Sequence, residues 1–157
     1  MRAEKTPEMH IPPPILYGGA LVLGQIAQVC RRLPLMPDFF TPLRRLLGGM
    51  LVVGGAAAGF WGVRTMQKAG ASPDPREVPP ELVTDGPFQY SRNPLYVTMT
   101  AIYLGITVLR NNLWGVVLLP GLLAAVERAA IEREEAYLRD RFGATYRDYE
   151  ERVPRWL

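Results

Sequence analysis

Cysteine and histidine are almost absent from this sequence: Cys30 and His10 are the single examples among 157 residues. One cysteine excludes an intrachain disulfide and a zinc site made of cysteines. One histidine excludes a His-Glu-x-x-His motif and argues against Ser-His-Asp catalysis, so we predict no metal site. The chain also has no Walker loop and no Gly-x-Gly-x-x-Gly turn, which argues against a Rossmann domain.

Charged residues are absent from four long windows: 11–30, 46–63, 93–109 and 111–126. The 18 Lys and Arg and the 15 Asp and Glu residues all lie outside them. The mean hydropathy of +0.02, typical of a slightly apolar soluble protein, hides this separation. The net charge of +3 is too small and too scattered for a nucleic-acid-binding surface, so we expect no nucleic-acid partner.

The four windows predict membrane-spanning helices, because a helix needs about 20 apolar residues to cross the hydrocarbon core. The first two are long enough, and the last two become so if flanking residues such as Arg110 extend to the interface. Prolines 12–14 and the three later windows argue against a cleaved signal peptide. We predict one all-α integral membrane domain over residues 1–157, with about four transmembrane helices and cytoplasmic C-terminal helices.

The distribution of lysine and arginine predicts that both termini and the loop 67–92 are cytoplasmic, since that side carries most of them. The arginines assigned to the other side are Arg31, Arg32, Arg44, Arg45 and Arg110. Those between 31 and 45 oppose this orientation. A shallow or re-entrant hairpin made by the first two segments is the alternative.

Glycines make the second apolar segment unusually small on its surface, and Gly55 and Gly59 form a small-x-x-x-small pair. Such pairs let helix backbones approach closely. We favour packing within the chain over a dimer interface, and we expect Gly105, Gly115 and Gly121 to pack in the same way in the second pair of helices. The oligomeric state is not given by the sequence.

Two polar stretches fall on the predicted cytoplasmic side. The proline-rich stretch 67–92 indicates an ordered loop or lid. The segment 127–157 predicts a helix that continues out of the fourth apolar segment and is capped at Gly143. A second short helix over about 144–152 should then end before Pro154.

The C-terminal helix carries carboxylates where an apolar face is expected. Ile131, Leu138 and Phe142 form an apolar stripe at 100° per residue; Glu135 lies inside it, with Glu127 and Glu134 beside it. In one interpretation these carboxylates bind cationic groups of a ligand at the membrane edge. In the other they belong to a surface ladder of ion pairs, since Glu135 and Arg139 are spaced i,i+4.

A helix that begins at Pro94 offers a second candidate site. Asn93 is positioned to cap it, and Arg92 with the free amides of Leu95 and Tyr96 would suit an anionic group. An ordinary juxtamembrane role is the alternative for Arg92, and Tyr90, Tyr96 and Tyr103 are typical interfacial anchors.

The stretch Leu-Val-Thr-Asp-Gly-Pro-Phe-Gln-Tyr-Ser-Arg-Asn-Pro-Leu-Tyr at 82–96 resembles the Gly-Pro-Tyr…Arg-His-Pro-x-Tyr signature of isoprenylcysteine carboxyl methyltransferases. The residues Glu-Glu-x-x-Leu-x-x-x-Phe-Gly-x-x-Tyr-x-x-Tyr-x-x-Arg-Val-Pro at 134–154 resemble the C-terminal signature of that family. The wider group includes phospholipid and thiol methyltransferases of membranes.

This resemblance implies a membrane methyltransferase that uses S-adenosylmethionine without a Rossmann domain and takes a lipophilic substrate from the bilayer. The C-terminal segment 127–157 would hold the cofactor, and membrane lipids would surround the helices. Arg92 matches an arginine near the reacting groups, and Arg128 is a second candidate for that catalytic role. With the helix N-terminus included, the predicted cofactor-binding residues are Asp85, Gly86, Pro87, Phe88, Asn93, Leu95, Tyr96, Glu134 and Glu135.

The mechanism we infer is an in-line displacement at the sulfonium methyl by a carboxylate, thiol or amine. Asn93 stands where the family usually has histidine, and an amide cannot act as an acid or base near neutral pH. A carboxylate acceptor needs no general base. The alternatives are an NADPH-dependent sterol-type reductase, which the paired glutamates disfavour, and a non-catalytic packing protein, if the two motifs do not meet in space.

Overall fold

The computed structural model describes residues 12–72 and 80–157, and every regular element in these ranges is helical. The α-helices are α1 (Pro13–Cys30), α2 (Thr41–Lys68), α3 (Pro94–Leu109), α4 (Leu113–Val126), α5 (Glu132–Phe142) and α6 (Ala144–Arg152). Short 3-10 helices cover Asp38–Phe40 and Gly86–Gln89, and a π-helical turn, Glu127–Ile131, joins α4 to α5. The predicted all-α fold is confirmed.

Three helical stretches are long and apolar enough to cross a membrane: Pro13–Cys30, Asp38–Lys68 and Leu113–Phe142. The third predicted span corresponds to α3, which is apolar but has 16 residues. Large apolar side chains cover the outside of the helices; Val29 is 79% exposed and Val53 is 69% exposed. A continuous apolar surface of this kind suits lipid rather than water, as the sequence predicts.

Helix α2 packs along α3 through a face of glycines. A Cβ added at Gly48 would lie 2.9 Å from the Gly105 carbonyl oxygen, and one at Gly55 would lie 3.1 Å from that of Thr98. The two backbones approach this closely because these positions have no side chain. Packing within the chain is therefore confirmed for this face. A Cβ at Gly121 would have no described atom within 4 Å, so its expected packing role is wrong.

Helices α1 and α4 also approach closely, since a Cβ on Gly24 would lie 3.4 Å from the Gly115 nitrogen. Tyr103 of α3 is 1% exposed and donates its O–H to the Gly115 carbonyl at 2.8 Å. Tyr96 is buried in the same core. The expectation that Tyr96 and Tyr103 are interfacial anchors is therefore wrong, whereas Tyr90 is exposed.

The chain reverses direction at Gly143, where φ is +55°, a left-handed value that glycine adopts without strain. Helix α5 ends directly before this residue, and α6 ends before Pro154, as predicted. The buried side chains of Tyr146, Tyr149 and Val153 form a small second core beneath α5. This turn brings α6 and the residues after it back towards the start of α3.

The predicted loop 67–92 is partly helical, because α2 continues to Lys68 and Gly86–Gln89 forms a 3-10 helix. The lid prediction concerns mainly the prolines of residues 73–79, which lie outside the described residues. The N-terminal residues 1–11, with Arg2, Lys5 and His10, also lie outside them.

Candidate functional site

The segment before α3 lies against the last residues of the chain. The Arg92 backbone N–H donates to the Pro154 carbonyl at 2.9 Å. The Ser91 hydroxyl and the Asn93 side-chain amide both donate to the Arg155 carbonyl, at 3.2 and 3.0 Å. The two motif segments of the sequence therefore meet in space.

Glu135 lies at the centre of this contact, with its side chain 2% exposed. Arg155 binds both of its oxygens, at 2.9 and 2.7 Å, and Arg92 and Arg139 approach it at 3.0 and 3.1 Å. A buried carboxylate is costly unless it is paired, and here three guanidinium groups pair with it. The i,i+4 pair with Arg139 is present, but it is built on a buried carboxylate rather than on a surface ladder.

Two further carboxylates complete this arrangement. Glu150 of α6 accepts from Arg92 at 2.6 Å and from Arg139 at 2.7 and 3.0 Å, and Glu127 of the π turn accepts from Arg155. The hydrogen bonds from Arg139 hold the pKa of Glu150 below its ordinary value. Six side chains, three of each sign, form what we call the ion network: Arg92, Arg139, Arg155, Glu127, Glu135 and Glu150.

Glu134 has a different environment from its neighbour in sequence. It accepts a hydrogen bond from the Tyr96 hydroxyl at 2.6 Å, and Tyr96 in turn contacts Tyr17 of α1 through its backbone carbonyl. Within residues 12–72 and 80–157, Glu134 forms no ion pair with lysine or arginine. The predicted acidic pair is therefore divided: one carboxylate is neutralised by arginines and the other is held by a neutral phenol.

The predicted cofactor segment 85–88 lies against the C-terminal part of α2. Gly86 has a φ of +59°, and a Cβ there would lie 2.7 Å from the Thr65 hydroxyl, so glycine is required at this position. Asp85 is exposed, whereas Pro87 and Phe88 are buried. The Tyr149 hydroxyl donates to the Phe88 carbonyl at 2.6 Å and thereby ties the segment to α6.

Two details of the predicted helix N-terminus are wrong. The Asn93 side chain does not cap α3, because it donates to the Arg155 carbonyl instead. The Tyr96 amide is not free, because it donates to the Asn93 carbonyl at 3.0 Å. Chain reversal at the C terminus brings the asparagine a partner that lies 62 residues away in sequence.

Arg128 and Leu95 are among the predicted site residues that lie outside the ion network. Arg128 is exposed on the π turn and forms no hydrogen bond or ion pair with another described residue. Leu95 packs on α2, where a Cβ on Gly62 would lie 2.9 Å from its Cδ2 atom. The roles assigned to Arg128 and Leu95 stay predictions.

Arg155 and Glu150 were not among the site residues predicted from the sequence. A signal for them existed, because a carboxylate inside an apolar stripe requires a cationic partner. Arg139, four residues further along α5, was the partner that the spacing suggested. It donates to Oε2 of Glu135, whereas Oε1 is bound by Arg155. The partners come from α6 and the residues after it, whose return path depends on the turn at Gly143.

Comparisons with known proteins identify the family of the chain. The profile of the phospholipid methyltransferase family matches residues 43–145. Over 73 residues the chain is 38% identical to the protein-S-isoprenylcysteine O-methyltransferase of Schizosaccharomyces pombe, a match that covers 46% of this chain but 31% of that relative. No solved structure matches. The resemblance to isoprenylcysteine carboxyl methyltransferases is confirmed, and the chain belongs to the phospholipid methyltransferase family of integral membrane proteins.

Proposed function

We propose that this protein transfers a methyl group from S-adenosylmethionine to a lipophilic acceptor that enters from the bilayer. The observation that carries the proposal is the ion network, which joins the segment before α3 to the C-terminal helices beside the apolar helices. A charged cofactor and an apolar acceptor need adjacent environments of these two kinds. The predicted site residues Arg92, Glu134 and Glu135 all lie at this junction.

The groups at this junction fit a cofactor with one cationic and one anionic part. The Glu134 carboxylate has a neutral partner, so its charge suits a sulfonium or ammonium group. The Nε atom of Arg92 is buried and has no acceptor among the described residues. Buried N–H groups are nearly always paired in native proteins, and a ligand carboxylate would supply the missing acceptor.

The bound cofactor supplies a methyl group that is already activated as part of a sulfonium. The protein then has to align the two reactants and exclude water, which are large contributions to rate when no bond to the enzyme forms. Tyr96 fixes the position of Glu134, and the ion network fixes the Arg92 guanidinium at the start of α3. In this proposal Arg92 orients an anionic group, and Arg128 is a second candidate for that task.

We propose that the acceptor reacts through a carboxylate, a thiol or an amine at the end of a long apolar chain. The relative from Schizosaccharomyces pombe is named for isoprenylcysteine, and the family is named for phospholipids. A carboxylate suits this site best, because it has no proton to lose before it reacts. Asn93 cannot remove a proton, and its amide is already bonded to the Arg155 carbonyl.

The geometry favours this function over the two alternatives. A reductase that uses NADPH needs arginines that are free for the 2′-phosphate. Arg139 and Arg155 are instead each paired with two glutamates, and Arg92 keeps a single buried donor, its Nε, that is unpaired among the described residues. A purely structural role was expected only if the two motifs did not meet, and they meet at Glu135.

The test is cofactor binding by calorimetry in detergent with Glu134→Gln, a change that keeps an acceptor for the Tyr96 hydroxyl and removes the charge. We expect affinity for S-adenosylmethionine to fall about tenfold, which corresponds to one charged contact. Affinity for S-adenosylhomocysteine, which lacks the sulfonium charge, should fall less.

The matched control is Glu132→Gln, an exposed carboxylate on the same helix, which should bind both compounds as the wild type does. Binding of NADPH without binding of either sulfur compound would refute the proposed function. Equal affinities of the Glu134 and Glu132 variants for S-adenosylmethionine would refute the role of Glu134 and leave the proposed function standing.

A further inference from the structure

A cavity opens on the protein surface between α1 and α3–α4, far from the ion network. Its volume is about 360 Å³, within the roughly 300–1,000 Å³ of small-molecule sites. Arg110 lies at the end of α3 opposite to Pro94, about 24 Å away along that helix. The lining includes Leu21, Val22, Gln25, Ile106, Arg110 and Asn112.

Two close contacts hold together the three helices that line this cavity. Gly24 of α1 meets Gly115 of α4, and a Cβ on Gly115 would lie 2.5 Å from the Thr107 methyl group of α3. Three helices are thus held together there, and beside these contacts, with Thr107 and Gly115 in its lining, lies a groove whose sides include Leu21, Val22 and Ile106. Val22 on the outer wall is 59% exposed, so the groove is open towards lipid.

The rim of the groove is cationic and has almost no acidic counterpart. Arg110 is exposed and makes no hydrogen bond or ion pair with another residue in the described ranges. The Arg31 carbonyl accepts from the Trp114 indole at 2.8 Å, and the Leu113 N–H donates to the Leu33 carbonyl, so the backbone of the arginine-containing segment after α1 lies beside the residues that follow Asn112. Asp38 is the single acidic residue in 12–72, and 93–126 contains none.

We propose that this groove binds an anionic phospholipid, with one acyl chain along Leu21, Val22 and Ile106 and the phosphate on Arg110. The charge pattern selects this class, because the rim offers cationic donors to a phosphate and no carboxylate to a choline or ethanolamine. The Gln25 amide is exposed beside the apolar wall and is positioned to donate to an ester carbonyl. The site is separate from the methyl-transfer site and does not depend on it.

The test is lipid binding measured by native mass spectrometry on the full chain in detergent. Dioleoylphosphatidylglycerol should bind with one tight site, dioleoylphosphatidylcholine should bind at least tenfold more weakly, and glycerol 3-phosphate without acyl chains should not bind detectably. Arg110→Gln should weaken phosphatidylglycerol binding about tenfold. Its control is Arg45→Gln, an exposed arginine at the same end that does not line the groove.

A second pair of variants tests the apolar wall. Val22→Trp should fill the groove and abolish the tight site, whereas Leu23→Trp, an exposed neighbour outside the groove, should leave it intact. Equal affinity for the two phospholipids, or equal effects of the paired variants at Arg110 and Arg45 or at Val22 and Leu23, would overturn the proposal. Tight binding of glycerol 3-phosphate alone would also overturn it.

Discussion

Glu150 depends on the fold for its charged partners, because the arginines that bind it belong to other elements. Arg92 precedes α3 and Arg139 lies in the last turn of α5, and both donate to Glu150 of α6. An unfolded chain loses these bonds, so the carboxylate returns to its ordinary pKa. The depressed pKa in the folded state therefore reflects the stability that the ionised Glu150 gains from its arginine partners.

We expect this contribution to be lost in acid. The pKa of Glu150 lies below its ordinary value of 4.5 in the fold, so its stabilisation is complete above about pH 4.5 and declines as pH falls through the lower, folded value. At pH 7, Glu150→Gln should lower Tm by roughly 3–8 °C, and this difference should narrow below pH 4.5. Thermal unfolding in detergent between pH 3.5 and 7 measures it.

The control for this prediction is Glu151→Gln, an exposed neighbour that is outside the ion network. Its Tm should follow that of the wild type at each pH. A difference between wild type and the Glu150 variant that stays constant down to pH 3.5 would contradict the prediction.

The sequence identifies residues that need a partner better than it identifies the partner. The position of Glu135 inside an apolar stripe correctly indicated a buried carboxylate that needs a cationic partner. Its bonds to Arg155 depend on the reversal at Gly143 and on the path of α6, which no local pattern encodes. The helix-start pattern also predicted Asn93 as the cap of α3. Its side chain instead donates to the carbonyl of Arg155, which is distant in sequence.

Element boundaries were more predictable, because each has a local cause. Proline sets the start of α3, and glycine and Pro154 delimit α6 as expected. The π turn between α4 and α5 was not predicted, since such turns have no simple sequence signal. The apolar stripe also divides between two cores: Ile131 packs in the helix bundle, whereas Leu138 and Phe142 pack beneath α6.

The contact of α2 with α3 predicts opposite effects on stability for alanine at two adjacent glycines, Gly48 and Gly49. Gly48→Ala should destabilise the protein by about 1–3 kcal/mol, because its Cβ would lie 2.7 Å from Leu109 Cγ and 2.9 Å from a backbone oxygen. Gly49→Ala is the matched control, since its Cβ would meet no described atom within 4 Å, and alanine favours the helix. Chemical or thermal unfolding in detergent compares the two; equal stabilities would refute this account of the helix contact.

At the scale of the whole molecule, the separation of charged from apolar residues correctly predicted apolar helices, and in the described part of the chain three helical stretches are long enough to cross a membrane. It could not predict how they pair, because α2–α3 packing depends on which glycines face each other. The orientation in the membrane stays a prediction, and the arginines after α1 argue against it. Cys30, exposed at the end of α1, offers a direct test.

We expect a membrane-impermeant maleimide to label Cys30 from the non-cytoplasmic side of intact cells or spheroplasts. In a double variant, Cys30→Ser with Thr145→Cys, the new thiol replaces an exposed side chain of α6 and should react only after lysis. The reverse pattern would establish the opposite orientation. Labelling of both sites from one side would support the re-entrant hairpin.

The stretch Leu113–Phe142 has a consequence for the acidity that the site experiences. Its 30 residues extend about 45 Å, whereas the hydrocarbon core is about 30 Å thick, so α5 leaves the core. Glu135 and Arg139 then stand at the depth of the lipid headgroups. If the C-terminal helices are cytoplasmic, as the sequence predicts, a surface potential of about −30 mV there raises the local proton concentration roughly threefold. The buffer pH at which the ion network loses its stabilising carboxylate charges would then depend on the lipid composition around the protein.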